Sequence, residues 1–254
     1  MKEVVQRILT IYKLTNRNDM KLFYSLFFLL FSLAAVSQDT ISNKPAIKVI
    51  NNGKAYRKSI VNKPGHKMTA LEEIIPGMAI ELKYADSNNF TGQRIYPSSC
   101  KAYLRNKAAS YLKSIQNKLK KQGLGLKIFD AYRPYSATGF IWNLVKDERY
   151  AADPAKGSNH NRGIAVDLTI IDLKTKAELN MGTGFDNFSD SAHHSFKALP
   201  DMVLKNRVLL KKMMEQNGFE SFETEWWHYT LPNAKQYELL DLSFEELKKL
   251  TTNQ

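Results

Sequence analysis

With 254 residues, 43% hydrophobic and 24% charged, the chain is ordinary globular material, and one domain around one core is the economical reading. Its 37 basic residues against 25 acidic ones give a net charge of +12, yet no nucleic-acid motif accompanies the excess, so the lysines read as a solvated surface. The single cysteine, Cys100, excludes an intrachain disulfide and reads as a small buried residue rather than a nucleophile.

In chain order, Leu22 to Val36 is an apolar run of 15 residues preceded by Lys21, shorter than the ~20 needed for a comfortable membrane span. Ala35 and Ser37 suit cleavage before Gln38, so residues 1–37 are expected to be a signal peptide, with Met20 as an alternative start. No cysteine follows the run, which excludes a lipoprotein anchor. Export, to a periplasm, is the expectation, with no stable membrane span once the signal is removed. Residues 38–67 are polar and without period, and are expected as a linker or arm. The folded domain is then 68–254.

Pro76-Gly77 punctuates the start of that domain, and the alternation from Met78 to Ala85 predicts a half-buried strand. A loop rich in turn formers covers 86–100. Ser99 is a candidate N-cap for a helix from Lys101 to Gln122, with Leu104, Ala108, Leu112, Ile115 and Leu119 as its apolar stripe and Gly123 as its left-handed terminator. Leu124 to Ile128 alternates again and delivers Asp130-Ala131-Tyr132-Arg133-Pro134 at its end. A helix over 136–146 is expected to turn Phe140, Ile141, Leu144 and Val145 inward. Residues 164–171 read as a buried strand, followed by a long connection of the kind that more often carries function than not. A helix over 201–217, with Leu204, Val208 and Met213 among its apolar positions, ends at Gly218. A last strand covers 223–231, and Ser243-Phe244-Glu245-Glu246 is a capping box for a final helix. Strands and helices mix without strict βαβ alternation, which predicts α+β: a single domain with a small, mainly antiparallel sheet flanked by helices.

The chemistry concentrates in Ser158-Asn159-His160-Asn161-Arg162-Gly163-Ile164-Ala165-Val166-Asp167. Asp167 lies between Val166 and Leu168 on the buried strand, where an unpaired ion costs several kcal/mol. A cation or a base partner must therefore meet it. His160, and His228 in Glu225-Trp226-Trp227-His228, would complete three N/O ligands with one open position, the pattern of a catalytic zinc site on the sheet. Each residue also has a plain reading: a core histidine, a strand acid paired with an arginine, an edge glutamate, a surface Arg133. Glu225 and His228 are three apart and face opposite sides of a regular strand, so a turn or bulge is required to bring both to one centre.

Ser158-x-His160-x-x-Gly163-x-Ala165-x-Asp167 followed by Glu225-Trp226-Trp227-His228 resembles the signature of the zinc D-alanyl-D-alanine dipeptidases, the VanX type, within the peptidoglycan D,D-peptidases. Tyr84-Ala85-x-x-Asn88-Asn89-Phe90-x-Gly92, Asp130-Ala131-Tyr132-Arg133-Pro134, Met181-Gly182-x-x-Phe185-Asp186 and Ser191-x-His193-His194 extend the likeness over roughly residues 74 to 232. The resemblance implies that His160, Asp167 and His228 hold one Zn2+ per chain. It makes Glu225 the general base, with a fourth ligand as the competing assignment, and has Arg133 stabilise the oxyanion. Asp186 would then receive the substrate ammonium, with Ser158 and Tyr84 as further contacts and His193 and His194 supporting the pocket.

The function implied is hydrolysis of the D-alanyl-D-alanine dipeptide to two D-alanines, in wall turnover or glycopeptide resistance. The alternatives are a D,D-carboxypeptidase acting on peptidoglycan stem peptides and a non-catalytic wall-binding module. Retained Glu225 and Arg133 argue against the last. The partner expected is a small dipeptide, with no nucleic acid. Oligomeric state is not legible in the sequence.

Overall fold

The computed structural model describes residues 47–252. The apolar run at Leu22 to Val36, and the export signal expected on it, lie outside the described residues. No helix among the described residues is long and apolar enough to cross a membrane.

The fold is built on β5 (Leu124–Asp130), β6 (Ala165–Asp172) and β8 (Glu225–Thr230), flanked by β3 (Ala79–Ile80) and β7 (Glu220–Phe222), in the order β3-β5-β6-β8-β7. Only the β3–β5 edge is parallel; the other pairings are antiparallel, which is the expected mainly antiparallel sheet. Strand β6 is the middle of the sheet and is buried along nearly its whole length. Its Val166, Leu168 and Ile170 join one apolar cluster with Leu112, Ile115 and Leu119 of α3 (Asn106–Lys120) and with Leu210 and Met214 of α5 (Asp201–Glu215). The alternate residue Asp167 points the other way. A second cluster gathers Ile50, Tyr56, Met68, Tyr103, Tyr132, Ile141, Leu240 and Leu247.

Several elements depart from the sequence reading, each for a packing reason. The stretch from Met78 yields only the two-residue β3 and then a 3-10 turn at Lys83–Ala85, because Ile95 and Tyr96 both donate their amides to the Tyr84 carbonyl and fold the next loop back onto it. The helix expected from Lys101 starts at Asn106. Tyr103–Arg105 instead form β4, buried on all sides and paired with β2 (Met68–Ala70), so Leu104 belongs to a strand and Ser99 caps nothing. In α4 (Tyr135–Val145) Phe140 and Leu144 are 39% and 50% exposed. The inward side is the smaller one, Ala137, Thr138 and Ile141. Val208 of α5 is likewise exposed, and Arg207 beside it is buried.

The stretch expected as an arm is folded from residue 47. Val49–Ile50 (β1) pairs parallel with Leu239–Leu240 (β9), and α1 (Gly53–Ser59) buries Tyr56 completely. Asn52 caps α1 by accepting from the Ala55 amide at 2.9 Å. At the other end of the domain Ser243 caps α6 (Phe244–Thr252) as expected, its hydroxyl accepting from Glu246 N at 3.1 Å. Glu246 does not close the box; its carboxylate accepts from Gly53 N at 3.0 Å and so ties the two ends together.

Gly163 shows how tightly the central loop is seated. Its φ is +68°, and a Cβ there would stand 2.7 Å from the Met68 sulfur. Gly163→Ala is expected to lower the unfolding free energy by about 2 kcal/mol through strain and overpacking, read as a lower urea midpoint at unchanged slope.

Candidate active site

The site begins as a row across three strands. In register, Asp130 of β5 faces Asp167 of β6, and Asp167 faces His228 of β8. Directly opposed residues of antiparallel strands share a face. Two irregularities produce this alignment. Between Ile128 and Asp130 the register slips by one, so Phe129 is extra and Asp130 comes round to the face of Asp167. Between β7 and β8, Ser221 faces Tyr229 while the next residue, Phe222, faces Glu225. The excess residues of β8 bring Glu225 round, and its Oε2 stands 3.8 Å from His228 Nδ1.

The second histidine, His160, comes from the loop before β6. Asn161, fully buried, organises that loop: its Oδ1 accepts from Ser158 N at 2.9 Å, and its amide donates to the Arg133 carbonyl at 2.9 Å and to Thr138 Oγ1 at 2.7 Å. His160 is held in turn, its amide donating to Ser158 Oγ at 3.2 Å. Its Nδ1 lies 2.7 Å from the Ala131 carbonyl. A carbonyl only accepts, so Nδ1 carries the proton and Nε2 keeps its lone pair for the cleft.

The donors converge. His160 Nε2 is 3.2 Å from His228 Nδ1 and 3.4 Å from Asp167 Oδ2; His228 Nδ1 is 2.9 Å from Asp167 Oδ1. Among the described residues these three form the one cluster able to hold a metal, each offering an atom within 4.8 Å of the others. Two imidazoles and one carboxylate with a side open to a cleft fit a catalytic zinc ion, and the fixed tautomer of His160 fits it further.

Arg133 leaves the end of β5 and turns back on Asp130, donating from Nη2 at 2.7 Å and Nε at 3.1 Å to one carboxylate oxygen. Asp130 also accepts from Tyr96 OH at 3.0 Å and from Ala131 N at 2.9 Å. The guanidinium sits over the Tyr84 ring, 5.1 Å from its centre. Asp186, at φ +56°, accepts from Tyr84 OH at 3.0 Å.

All eight residues singled out in the sequence, Tyr84, Arg133, Ser158, His160, Asp167, Asp186, Glu225 and His228, line one cleft of about 390 Å³. That volume is at the small end of the ~300–1,000 Å³ usual for ligand pockets. Ser158 is tied to His160 as well as facing the cleft. His193 and His194 do not reach it. His194 hydrogen-bonds through its amide to Glu223 O and lies edge-on to Tyr229, and burial beside Lys211 pushes its imidazole down to about 4. Asp130 and Asn161 carry structural roles that the sequence reading left unassigned. Asp130 had a legible signal, an acid three residues before Arg133 at a strand end; Asn161 had none beyond its place between His160 and Gly163.

Charge in the cleft is weighted to acid. Burial opposes ionisation of Asp167, but the positive charge that His160 takes up when no metal shares its Nε2, with hydrogen bonds from His160 and His228, holds its carboxyl below the ordinary range. Burial, reinforced by Asp167 and Asp186, pushes Glu225 up to about 8. Asp186 is raised well above its usual value, first by burial and then by the charge of Asp167. Such a set suits a cation, whose charge would offset the burial of all three acids. Cys100 is partly buried, which pushes its thiol up to about 12, as expected of a residue that takes no part.

A small cleft with three converging N/O donors, a carboxylate beside them and an anchored arginine defines the metallopeptidase class. The family model described as D-ala-D-ala dipeptidase, of the M15 peptidases, matches residues 65–249. This chain belongs to that family. It is 38% identical over 174 residues to the D-alanyl-D-alanine dipeptidase of Escherichia coli (strain K12), covering 68% of this chain and 89% of that protein. It is 34% identical over 180 residues to the D-alanyl-D-alanine dipeptidase of Enterococcus faecalis (strain ATCC 700802 / V583), covering 63% and 89%. It is 33% identical over 187 residues to that of Enterococcus faecium, covering 64% and 90%.

The Asp130–Arg133 pair is buried, and removing the charge of one partner strands the other. Asp130→Asn is expected to lower the unfolding free energy by about 3–5 kcal/mol, measured by urea denaturation of the full chain.

Proposed function

We propose that this protein is a zinc dipeptidase that cleaves D-alanyl-D-alanine into two D-alanines. The observation that carries the reading is the convergence of His160, Asp167 and His228 on one point, with Glu225 Oε2 3.8 Å from His228. Those three would hold one zinc ion per chain, which supplies a nucleophilic water at neutral pH and polarises the scissile carbonyl.

The remaining work falls to the protein's own groups. Glu225 is placed to take the proton of the attacking water and deliver it to the departing amine; burial alone keeps its carboxyl protonated at neutral pH, and a cation held by its neighbours would offset that burial and free it to act as base. Arg133 has Nε and Nη2 committed to Asp130, so its position is fixed before substrate arrives. The guanidinium N–H groups not committed to Asp130 are then the donors for charge that develops on the carbonyl oxygen, help that costs no reorganisation during the reaction. Ionisation of Asp186 is opposed first by burial and then by the charge of Asp167, and a substrate ammonium would offset both. An acylated amine carries no charge to offset that buried carboxylate, and this is the basis proposed for preferring the free dipeptide over longer peptides.

We also propose that the protein is exported to a periplasm, on the strength of the apolar run Leu22 to Val36 and the small residues at Ala35 and Ser37. An exported dipeptidase suits recovery of wall-derived dipeptide; a role in glycopeptide resistance is the other physiological setting.

The deciding measurement offers the purified, zinc-loaded protein D-Ala-D-Ala and its N-acetyl form side by side. D-alanine should appear from the free dipeptide, cease on chelation and return with zinc. Release from the acetylated compound alone would mark a D,D-carboxypeptidase instead. Glu225→Gln should keep its zinc and lose roughly 10²–10⁴-fold in kcat; unchanged turnover would remove Glu225 from the mechanism. Export is checked separately, by sequencing the N-terminus of the protein recovered from the periplasm, where Gln38 is expected as the first residue.

A further inference from the structure

Arg207, on α5, is 5% exposed, and its guanidinium is spent on main-chain carbonyls rather than on a carboxylate. Nε donates to Met181 O at 2.7 Å, Nη2 to Ser191 O at 2.8 Å and Nη1 to His193 O at 3.2 Å. Burying a guanidinium is costly, and an apolar side chain would serve the helix face as well. What the guanidinium adds is a rigid planar fork able to hold separate stretches of chain at a fixed spacing. The carbonyls it grips lie at the two ends of one loop, and Asp186 stands between them.

Other contacts fasten the two sides of the loop separately. On the second side Ala192 is buried in the main core and the His194 amide donates to Glu223 O at 2.9 Å. The first side is held at residues 180–183. Gly182, at φ +84°, lies against α5 so closely that a Cβ would meet Val203 Cγ1 at 2.8 Å and Arg207 Nη2 at 3.6 Å. Asn206 donates to Asn180 O at 2.9 Å, and Trp226 Nε1 donates to Thr183 Oγ1 at 2.8 Å. Arg207 alone among these also reaches Ser191 and His193. The tip it closes holds Asp186 in the left-handed region, which a side chain disfavours and which persists only where the surroundings impose it.

We infer that Arg207 is a positioning residue for substrate binding: its guanidinium closes the neck of the 181–193 loop and so sets where Asp186 meets the substrate ammonium. The inference rests on the role proposed above for Asp186. A lysine has one point-like ammonium and cannot grip three carbonyls in fork geometry, so Arg207→Lys keeps the charge and removes the clasp.

The test uses the full, zinc-loaded protein and Arg207→Lys, with Arg207→Gln as a second variant. Amide hydrogen exchange should rise at least about tenfold in residues 182–193 while β5 and β6 stay as protected as before. With D-Ala-D-Ala, KM should rise about tenfold with kcat within roughly twofold and zinc content unchanged. In an Asp186→Asn background, adding Arg207→Lys should change KM by less than about twofold, because the group it positions is already disabled. Exchange that rises throughout the domain, or not in the loop, would overturn the assignment. So would a fall in kcat at unchanged KM, or an equal effect in both backgrounds. If the wild-type protein cleaved no dipeptide, the activity proposed above would fall, while the exchange measurement would still decide whether Arg207 holds the loop.

Discussion

The structure turns on the desolvation of one carboxylate. Asp167 sits in the middle strand of the sheet, between residues packed into the main core, where an isolated negative charge would cost several kcal/mol. It is tolerated because His228 approaches to 2.9 Å from the next strand and His160 to 3.4 Å from the loop before. Two imidazoles pressed against a buried acid are themselves uncomfortable, since each must lose water. The combination is balanced when a cation is shared among the three, so the arrangement that makes folding expensive is the one that makes metal binding favourable.

Sheet geometry explains how three distant positions reach one point. A regular strand alternates its faces, so a row of functional groups across three strands needs the correct phase in each. The slip at Phe129 supplies it for Asp130, and the excess residues in β8 supply it for Glu225. Neither irregularity is idle. Phe129 keeps its ring buried against Phe185, 5.3 Å away, while Asp130 turns to hold Arg133. The hairpin irregularity puts a carboxylate next to a histidine three residues on, which no straight strand allows.

Much of this was legible in the sequence. The spacing of His160 and Asp167 and the cost of an acid within Ile164 to Ile171 pointed to the cluster, and the three-residue step from Glu225 to His228 demanded a bulge. The misreadings share one cause: burial on more than one side. Tyr103-Leu104-Arg105 looks like the start of an amphipathic helix because its apolar residues continue the helical stripe, yet it is a strand enclosed by both clusters. Phe140 and Leu144 look like an inward face, yet the side that packs is Ala137 and Thr138, because Asn161 needs the Thr138 hydroxyl. Val208 was expected among the apolar positions of its helix and is exposed; the buried place beside it goes to Arg207, whose charged side chain found three carbonyls. Periodicity registers hydrophobicity, and it is blind to polar groups that are buried because they are fully engaged.

That blindness matters most at the substrate end of the cleft. Of the three proposed metal ligands, Asp167 and His228 belong to central strands of the sheet, where register fixes their positions, and His160 is pinned in the loop before β6 by its bonds to Ser158 and Ala131. Asp186 belongs to a loop, in a backbone conformation that its own chemistry disfavours, and depends on contacts from Tyr84 and from the buried guanidinium beneath. The two parts of the cleft are therefore held by different means, and with the roles proposed here for Asp186 and the metal ligands a change in the loop would alter which molecules are accepted without disturbing the centre that reacts with them. Rigid chemistry beside adjustable recognition is the arrangement expected wherever one metal constellation serves peptides of differing length.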